Sequence, residues 1–159
     1  MTIRIICAGK LKETYLTEAV ADYRKRLSRF ASVEIQEVQD EKIPDGASAA
    51  EEQLAVSREG ERLLSRIQPA DYVIALAIEG RTFSSEAFAD YIRSLQNRGK
   101  SSLAFVIGGS LGLSPAVMDQ ADAALSLSAM TFPHRLARIL ILEQTYRAFK
   151  ILNHEPYHK

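Results

Sequence analysis

The sequence predicts an α/β fold in which a mostly parallel sheet is covered by helices on both faces. Three observations support this. Five short segments are rich in β-branched and other apolar residues, helical patterns separate them, and helix-start signals precede two of the helices. Strands that alternate with helices favour parallel pairing, because a parallel connection needs a crossover, which is usually a helix.

Five strands are predicted, at residues 3–7, 33–38, 71–78, 103–107 and 123–127. Helices are predicted at residues 11–30, 48–67, 84–98, 133–152 and from 114 onward. Ser48 and Glu51 have the spacing of a capping box. Ser114 precedes Pro115, the residue favoured at the first helical position. Acids alternate with apolar residues along the second strand, which predicts an exposed or edge position.

Composition and length predict one globular domain over residues 1–159. The chain is 47% hydrophobic and 25% charged, as in ordinary globular proteins. No apolar run approaches the roughly 20 residues needed to cross a bilayer, and the first residues do not have the pattern of a signal peptide. Cys7 is the only cysteine, so no internal disulfide can form. These features predict a cytoplasmic protein with no membrane partner.

Charge is distributed unevenly along the chain. The net formal charge is zero, but residues 131–159 contain five Lys or Arg against two acids, together with all three histidines. The rest of the chain is slightly acidic. A basic, histidine-containing end indicates a surface that faces an anion; chance clustering in a short segment is the alternative.

The last predicted helix is apolar over most of its circumference. Only a narrow polar stripe remains, in which Glu143 and Arg147 have the i, i+4 spacing of an ion pair. Such a helix must be buried on more than one side. A subunit interface explains the pattern, and so does a place at the centre of the core. The first explanation predicts a homodimer.

Two glycine motifs do not have the spacing of nucleotide-binding loops. Gly99-Lys100-Ser101 lacks the first glycine of a phosphate-binding loop and precedes a strand, and residues 108–112 depart from the dinucleotide-binding pattern. The same residues match the Gly-x-Ser-x-Gly turn of serine hydrolases, and Asp119 or Asp122 and then His134 follow in hydrolase order. A hydrolase with Ser110 as its nucleophile is therefore an alternative.

No metal site is predicted. His154 and His158 are four residues apart, but Pro156 lies between them and breaks the helix that would aim both at one ion. Cys7 lies in an apolar strand and is expected to be an unreactive core residue.

Three segments at the carboxyl ends of predicted strands remain as a candidate site: residues 76–80, 108–112 and 127–134. Open α/β sheets bind ligands beyond these ends. The glycines permit close backbone approach, and the third segment mixes apolar residues with hydroxyls before a helix. Together they predict a pocket for a ligand with an aromatic ring and several hydrogen-bonding groups.

Four segments form a specific combination of motifs. They are Phe105-Val106-Ile107-Gly108-Gly109-Ser110-x-Gly112, Leu125-Ser126-Leu127-Ser128-x-Met130-Thr131-Phe132-Pro133-His134, Glu143-Gln144-x-Tyr146-Arg147-Ala148 and Pro156-Tyr157-His158-Lys159. Together with the opening Ala8-Gly9-Lys10-Leu11-Lys12, they resemble the large-subunit rRNA methyltransferase H family, of the SPOUT class. The resemblance covers the whole chain.

The resemblance implies a C-terminal trefoil knot, a homodimer and an enzyme that uses S-adenosyl-L-methionine. It implies methylation of N3 of pseudouridine 1915 in 23S rRNA, within the large subunit or the assembled ribosome. The family's cofactor pocket maps here onto Leu76, Gly108, Leu127, Ser128, Ala129, Met130, Thr131 and Phe132.

In such an enzyme we expect His158 to act as the general base, with Tyr157 stacking on or orienting the extruded base. Arg135, Arg147 and Lys159 are expected to contact phosphate or to stabilise the developing imide anion. The tail that carries His158 follows the predicted interface helix and is a candidate to complete the partner subunit's pocket. The alternatives are that His158 only binds RNA, and that the protein is a non-catalytic ribosome-binding module.

Overall fold

The structure is a computed structural model that describes residues 1–159. Its strands are β1 (Thr2–Ala8), β2 (Ser32–Val38), β3 (Asp71–Thr82), β4 (Ser102–Ile107) and β5 (Ala123–Ser126). Its helices are α1 (Thr14–Leu27), α2 (Ala49–Leu64), α3 (Ser85–Asn97), α4 (Pro115–Gln120) and α5 (His134–Leu152). Every predicted strand and helix is present. None of the helices combines the length and apolar character needed to cross a membrane.

The five strands form one sheet in the order β2-β1-β4-β3-β5. All four pairings are parallel, so the predicted parallel sheet is confirmed. The alternating strand β2 lies at an edge, as its acidic pattern predicts. Because the strands run in the same direction, all five carboxyl ends lie at one edge of the sheet.

Helices cover both faces of the sheet. On one face, α1, α3 and α5 bury the larger apolar cluster, which includes Ile5, Phe105 and Leu142. On the other face, α2 and α4 close a smaller cluster through Leu63 and Val117. The fold class is therefore α/β as predicted, and the trefoil knot stays a prediction from the family resemblance.

The helix-start signals act as the sequence indicates. The Ser48 side chain accepts a hydrogen bond from the Glu51 amide at the start of α2, and Ser114 accepts from the Val117 amide at the start of α4. Each bond satisfies an amide that has no partner within the helix. Cys7 is fully buried in β1, and this burial raises the pKa of its thiol to about 11.

The apolar circumference of α5 is accounted for within one chain. The helix packs against both α1 and α3, and Phe149 stacks on Phe30 with ring centroids 5.5 Å apart. Leu136, near its start, is the one large apolar side chain of this helix that is exposed. The central-core explanation therefore suffices for α5, so the pattern of this helix does not require a partner subunit, and the homodimer stays a prediction.

A buried guanidinium ties α5 to the carboxyl ends of β1 and β2. Arg138 has no exposed surface. It donates to Glu37 at 2.8 Å and to the carbonyls of Gly9 and Ala8 at 3.1 and 3.5 Å. Glu37 also accepts from the Leu11 amide. Three chain segments, α5, residues 8–11 and β2, thus meet at this junction, which fixes where α5 begins.

Arg138→Met is expected to lower the free energy of unfolding by about 3 kcal/mol, because it leaves a carboxylate and two carbonyls without their buried partner. Arg26→Met is the matched control, since Arg26 forms an exposed ion pair with Asp22, and the loss of an exposed pair should destabilise the protein far less. Urea unfolding measures both variants. An equal decrease in the free energy of unfolding in both variants would show that Arg138 contributes no more to stability than an exposed ion pair.

Candidate active site

One large cavity lies at the carboxyl edge of the sheet. Its volume is about 900 Å³, within the range of small-molecule sites. Three segments supply almost all of its lining, residues 76–79, 107–113 and 125–134 without Ala129, and Met118 and Ala137 complete it. The three segments predicted to meet at this edge do meet.

The predicted cofactor-binding residues are nearly all part of this lining. Leu76, Gly108, Leu127, Ser128, Met130, Thr131 and Phe132 face the cavity. Ala129 belongs to the third segment but does not line the cavity. Ile78 and Glu79 also line it, as the predicted segment 76–80 indicates, although the family resemblance assigns only Leu76 of that segment to the cofactor. Sequence reasoning missed Met118 and Ala137, which line the cavity from α4 and α5 and carry no local signal of a site.

The first wall depends on a glycine. Strand β3 leaves the sheet after Leu76 and returns at Arg81, so that both residues are registered against Leu125. A Cβ atom on Gly80 would lie 2.6 to 2.8 Å from backbone atoms of Leu125 and Ala124. Only glycine permits this close approach, and the excursion it creates carries Ile78 and Glu79 to the cavity.

The second wall is a tight turn between β4 and α4. The Gly112 amide donates to the Gly109 carbonyl at 3.1 Å, and Gly112 adopts a φ of +83°, a left-handed value that favours glycine. A Cβ atom on Gly108 would lie 2.5 Å from the Gly112 carbonyl oxygen. Three glycines therefore form the turn and present backbone groups at the cavity.

The third wall is held by two serines. The Ser126 hydroxyl donates to the Ser128 carbonyl, and the Ser128 hydroxyl accepts from the Met130 amide, each at 3.0 Å. Met130 is 75% exposed and Phe132 is 38% exposed. The segment is thus shaped by local hydrogen bonds while its large apolar side chains stay at the surface.

Two titratable side chains line the cavity, Glu79 and His134. Burial lowers the pKa of His134, and the nearby charges of Arg135 and Arg138 lower it further. The imidazole is therefore neutral near pH 7. Arg138 is paired with Glu37, and Arg135 is paired with Glu13. Neither cation near this ring therefore adds an unpaired charge to the cavity.

The C-terminal tail, residues 155–159, does not line the cavity of its own chain. His154 adopts a left-handed φ of +55° and turns the chain back after α5. Glu155 then binds both Arg29 at 3.0 Å and Lys150 at 2.6 Å. The predicted catalytic residues Arg147, Tyr157 and His158 do not line the cavity.

Glu143 is the acceptor that organises the tail. It receives hydrogen bonds from Arg147 at 2.5 Å and from the Tyr157 hydroxyl at 3.1 Å, and the Arg147 guanidinium lies 4.8 Å from the centroid of the Tyr157 ring. Burial and the Glu143 carboxylate raise the pKa of Tyr157 to about 12. Tyr157 is therefore a protonated donor here.

Both ring nitrogens of His158 are engaged. Arg147 lies 3.2 Å from Nδ1, and because a guanidinium only donates, Nδ1 must accept. The proton then resides on Nε2, which donates to Glu86 at 2.8 Å. This hydrogen bond lowers the pKa of the Glu86 carboxyl. His158 has no free lone pair in this arrangement.

The two predicted RNA-binding residues differ in their surroundings. Arg135 is partly buried and forms an ion pair with Glu13 at 3.1 Å. Lys159 is exposed at the chain end. The structure places Arg135 beside His134 at the start of α5, close to the cavity, whereas Lys159 is the last residue of the C-terminal tail.

Comparison with known proteins identifies the family. A family model described as "Predicted SPOUT methyltransferase" matches residues 1–158. The chain belongs to the SPOUT methyltransferase family. It is 54% identical to a protein of Bacillus pumilus, 51% to one of Carboxydothermus hydrogenoformans and 52% to one of Clostridium acetobutylicum, each over the full length of both chains. All three carry the name ribosomal RNA large subunit methyltransferase H.

The geometry of this SPOUT family member does not support the hydrolase alternative. Helix α4 begins at Pro115, so Ser110 does not lie at the strand-to-helix junction that such a turn requires. Ser110 makes no hydrogen bond to His134, and the Asp122 carboxylate accepts from the Val73 amide at 2.8 Å. Ser110 and His134 both line the cavity, but no hydrogen bonds join a nucleophile, base and acid into a triad.

Gly80→Ala is expected to lower the free energy of unfolding of this SPOUT family member by about 1–3 kcal/mol, because the added methyl group overlaps backbone that cannot rotate away. Gly46→Ala is the control, since nothing lies within 4 Å of the added atom and only its φ of +76° is unfavourable. Thermal or urea unfolding compares the two. A Gly80 variant as stable as the wild type would refute the close-approach argument.

Proposed function

We propose that this protein is an S-adenosyl-L-methionine-dependent methyltransferase that modifies rRNA of the large ribosomal subunit. The observation that carries the proposal is the cavity at the carboxyl edge of the sheet, in a chain that belongs to the SPOUT methyltransferase family. The relatives' names support the rRNA substrate, since all are named as large-subunit rRNA methyltransferases.

The cavity fits the cofactor in size and chemistry. Glycine backbone, serine and threonine hydroxyls and apolar side chains line it, which suits a ligand that combines an adenine ring, a ribose and an amino acid. We assign the binding role to the predicted residues that line the cavity: Leu76, Gly108, Leu127, Ser128, Met130, Thr131 and Phe132. When bound, the cofactor supplies an electrophilic methyl group on a sulfonium.

We propose N3 of a pseudouridine in 23S rRNA as the methyl acceptor. The N3–H group is a poor nucleophile while protonated, so the protein must remove or share one proton. We assign that role to His158. In the docked tail its Nδ1 accepts from Arg147, so His158 must leave Arg147 before it can accept a proton. The position of His158 between Arg147 and Glu86 is thus an inactive position of the base.

We propose a homodimer in which each tail serves the partner's cavity. The exposed apolar side chains near the cavity support an interface there: Ile78 is 60% exposed and Met130 75%, and Phe132 and Leu136 are exposed beside them. Contiguous exposed apolar surface commonly marks a protein–protein contact. In such a dimer, the tail of one subunit would bring its His158 and Tyr157 to the cavity of the other subunit. Within one chain these two residues do not line the cavity.

The modest positive charge of residues 131–159 supports a structured RNA substrate. Phosphate contacts give nucleic-acid affinity that grows with the number of cations, and Arg135 and Lys159 are the two we assign to such contacts. So few cations favour the assembled ribosome, which adds further contact surface, over free 23S rRNA. A ribosomal substrate implies a cytoplasmic location.

Methyl transfer should depend on ribosome assembly. With radiolabelled cofactor and substrate from cells that lack this enzyme, we expect transfer to intact ribosomes to exceed transfer to free 23S rRNA at equal concentration. Mass spectrometry of RNase fragments locates the product on N3 of the target pseudouridine. Cofactor titration by calorimetry accompanies the assay. A protein that binds ribosomes but not the cofactor would be the non-catalytic module.

A mixed dimer tests whether the tail acts on the partner. One subunit lacks residues 155–159, and the other carries Thr131→Arg, which places a long cation at the cavity. Each alone should be inactive. Random mixing makes half of the dimers mixed with one complete site each, so about a quarter of wild-type activity should return. Mixed dimers without activity would restrict the tail to its own chain.

His158→Ala in the otherwise intact enzyme tests the base. We expect turnover at saturating ribosome and cofactor to fall by about 10²-fold or more, because a positioned base contributes that much. His158→Gln, which retains a polar side chain, separates proton transfer from RNA contact and should stay equally slow. If both variants keep wild-type turnover and raise only the KM for ribosomes, His158 binds RNA and is not the base.

A further inference from the structure

We propose that Glu59, a buried residue of α2, is a positioning residue for the glycine turn of the cofactor cavity. Glu59 lies in none of the three segments that form the large cavity and does not line it. The inference rests on the proposed function, since it concerns how the same site is held in a binding conformation.

The Glu59 carboxylate bridges two loops that are far apart in sequence. Its Oε1 accepts from the Gly109 amide at 2.9 Å, and its Oε2 accepts from the Glu41 amide at 3.1 Å. The residue is 7% exposed. Hydrogen bonds to an ionised acceptor in such surroundings are stronger than those between neutral groups, so the carboxylate holds both loops against α2.

The fit around Gly109 is close enough to depend on the absence of a side chain. A Cβ atom on Gly109 would lie 2.9 and 3.0 Å from the two carboxylate oxygens of Glu59. The glycine therefore lets its amide reach the carboxylate directly. A Cβ atom at this position would displace the Glu59 carboxylate, so glycine preserves its hydrogen bond with the amide.

The next residue of α2 holds the far end of the same turn. A Cβ atom on Gly60 would overlap the Ser114 side chain, which caps α4. Gly60 thus admits Ser114 against α2, while Glu59 fixes Gly109 at the start of the turn. The whole turn from residue 109 to 114 is held at both ends by two consecutive residues of one helix.

This arrangement sets the direction of a backbone group at the cavity. In a trans peptide the N–H and the preceding C=O point in opposite directions. Because the Gly109 amide points toward Glu59, the Gly108 carbonyl points away from α2. Gly108 is one of the residues assigned to the cofactor, so Glu59 acts on the cofactor through the orientation of this peptide.

A neighbouring side chain provides a matched control. Arg62, one turn further along α2, donates to the Gln39 carbonyl at 2.9 Å and to Glu41 at 2.7 Å. It therefore holds the loop at residues 39–41 without touching Gly109. Ser102 is a second control, since its buried hydroxyl binds Asp71 at 2.6 Å at the opposite edge of the sheet.

The experiment measures cofactor affinity and steady-state kinetics of the full-length Glu59→Gln enzyme. The amide of glutamine can accept from only one of the two N–H groups and turns a donor toward the other. We expect the dissociation constant for S-adenosyl-L-methionine to rise at least about tenfold, as follows from the loss of a charge-assisted bond. Turnover at saturating cofactor and the KM for ribosomes should change little.

Two further variants separate positioning from general stability. Arg62→Gln and Ser102→Ala should lower the melting temperature while leaving the cofactor dissociation constant within about twofold of wild type, well below the expected Glu59 effect. Gly109→Ala should weaken cofactor binding, and combining it with Glu59→Gln should weaken it less than the product of the two single effects, because both disturb one contact.

The outcomes distinguish this inference from the proposed function. If the wild-type protein does not bind S-adenosyl-L-methionine, the proposed function fails. If the wild type binds but Glu59→Gln binds equally well, only the role of Glu59 fails. If Arg62→Gln weakens cofactor binding as much as Glu59→Gln, the loop at residues 39–41 is responsible, and the assignment to the Gly109 contact is overturned.

Discussion

The parallel direction of all five strands is the constraint on which the rest of the structure depends. It gathers every carboxyl end at one edge and every amino end at the other. At the amino edge, Asp71 accepts from Ser102 and forms an ion pair with the buried Arg4 at 3.3 Å, so the Asp71 carboxylate is paired with side chains of the same protein. At the carboxyl edge, glycine turns and exposed apolar side chains surround a cavity. The carboxyl edge is the one at which open α/β sheets bind ligands.

The loops at the carboxyl edge are fixed by two buried side chains. Arg138 fixes the start of α5 against β1 and β2, and Glu59 fixes the glycine turn against α2. Both are buried charged groups that hydrogen-bond to loop backbone, Arg138 to the Gly9 carbonyl and Glu59 to the Gly109 amide. Loops can vary in shape more freely than strands, so a site made from three loops needs such supports to keep one geometry.

The sequence patterns predict the strands and helices because each one carries its own local signal. The parallel sheet follows from alternation, and the cavity follows from the sheet. The role of Glu59 has no local signal, since its partner Gly109 is 50 residues away and the turn of α2 that carries it reads as an ordinary amphipathic helix. The excursion of β3 is also missed, because Gly80 acts through contact with β5 and not through a turn motif.

The last helix and the tail show a different limit. An apolar circumference fits a core helix and an interface helix equally well, and the contacts with α1 and α3 account for it within one chain. The tail carries residues suited to catalysis, yet its own chain holds them at Glu143 and Glu86. The residue types of the tail therefore predict what chemistry it can perform. Where its side chains lie depends on contacts with Glu143 and Glu86, which the sequence pattern does not show.

Hydrogen exchange with and without S-adenosyl-L-methionine tests the central claim most directly, since it reports where the cofactor binds without requiring turnover. The account predicts slower amide exchange in residues 76–80, 108–113 and 127–134 when the cofactor is added, and unchanged exchange at the amino edge of the sheet. Protection at the amino edge, or in α1 and β2 instead of the three segments, would contradict a cofactor site at the carboxyl edge.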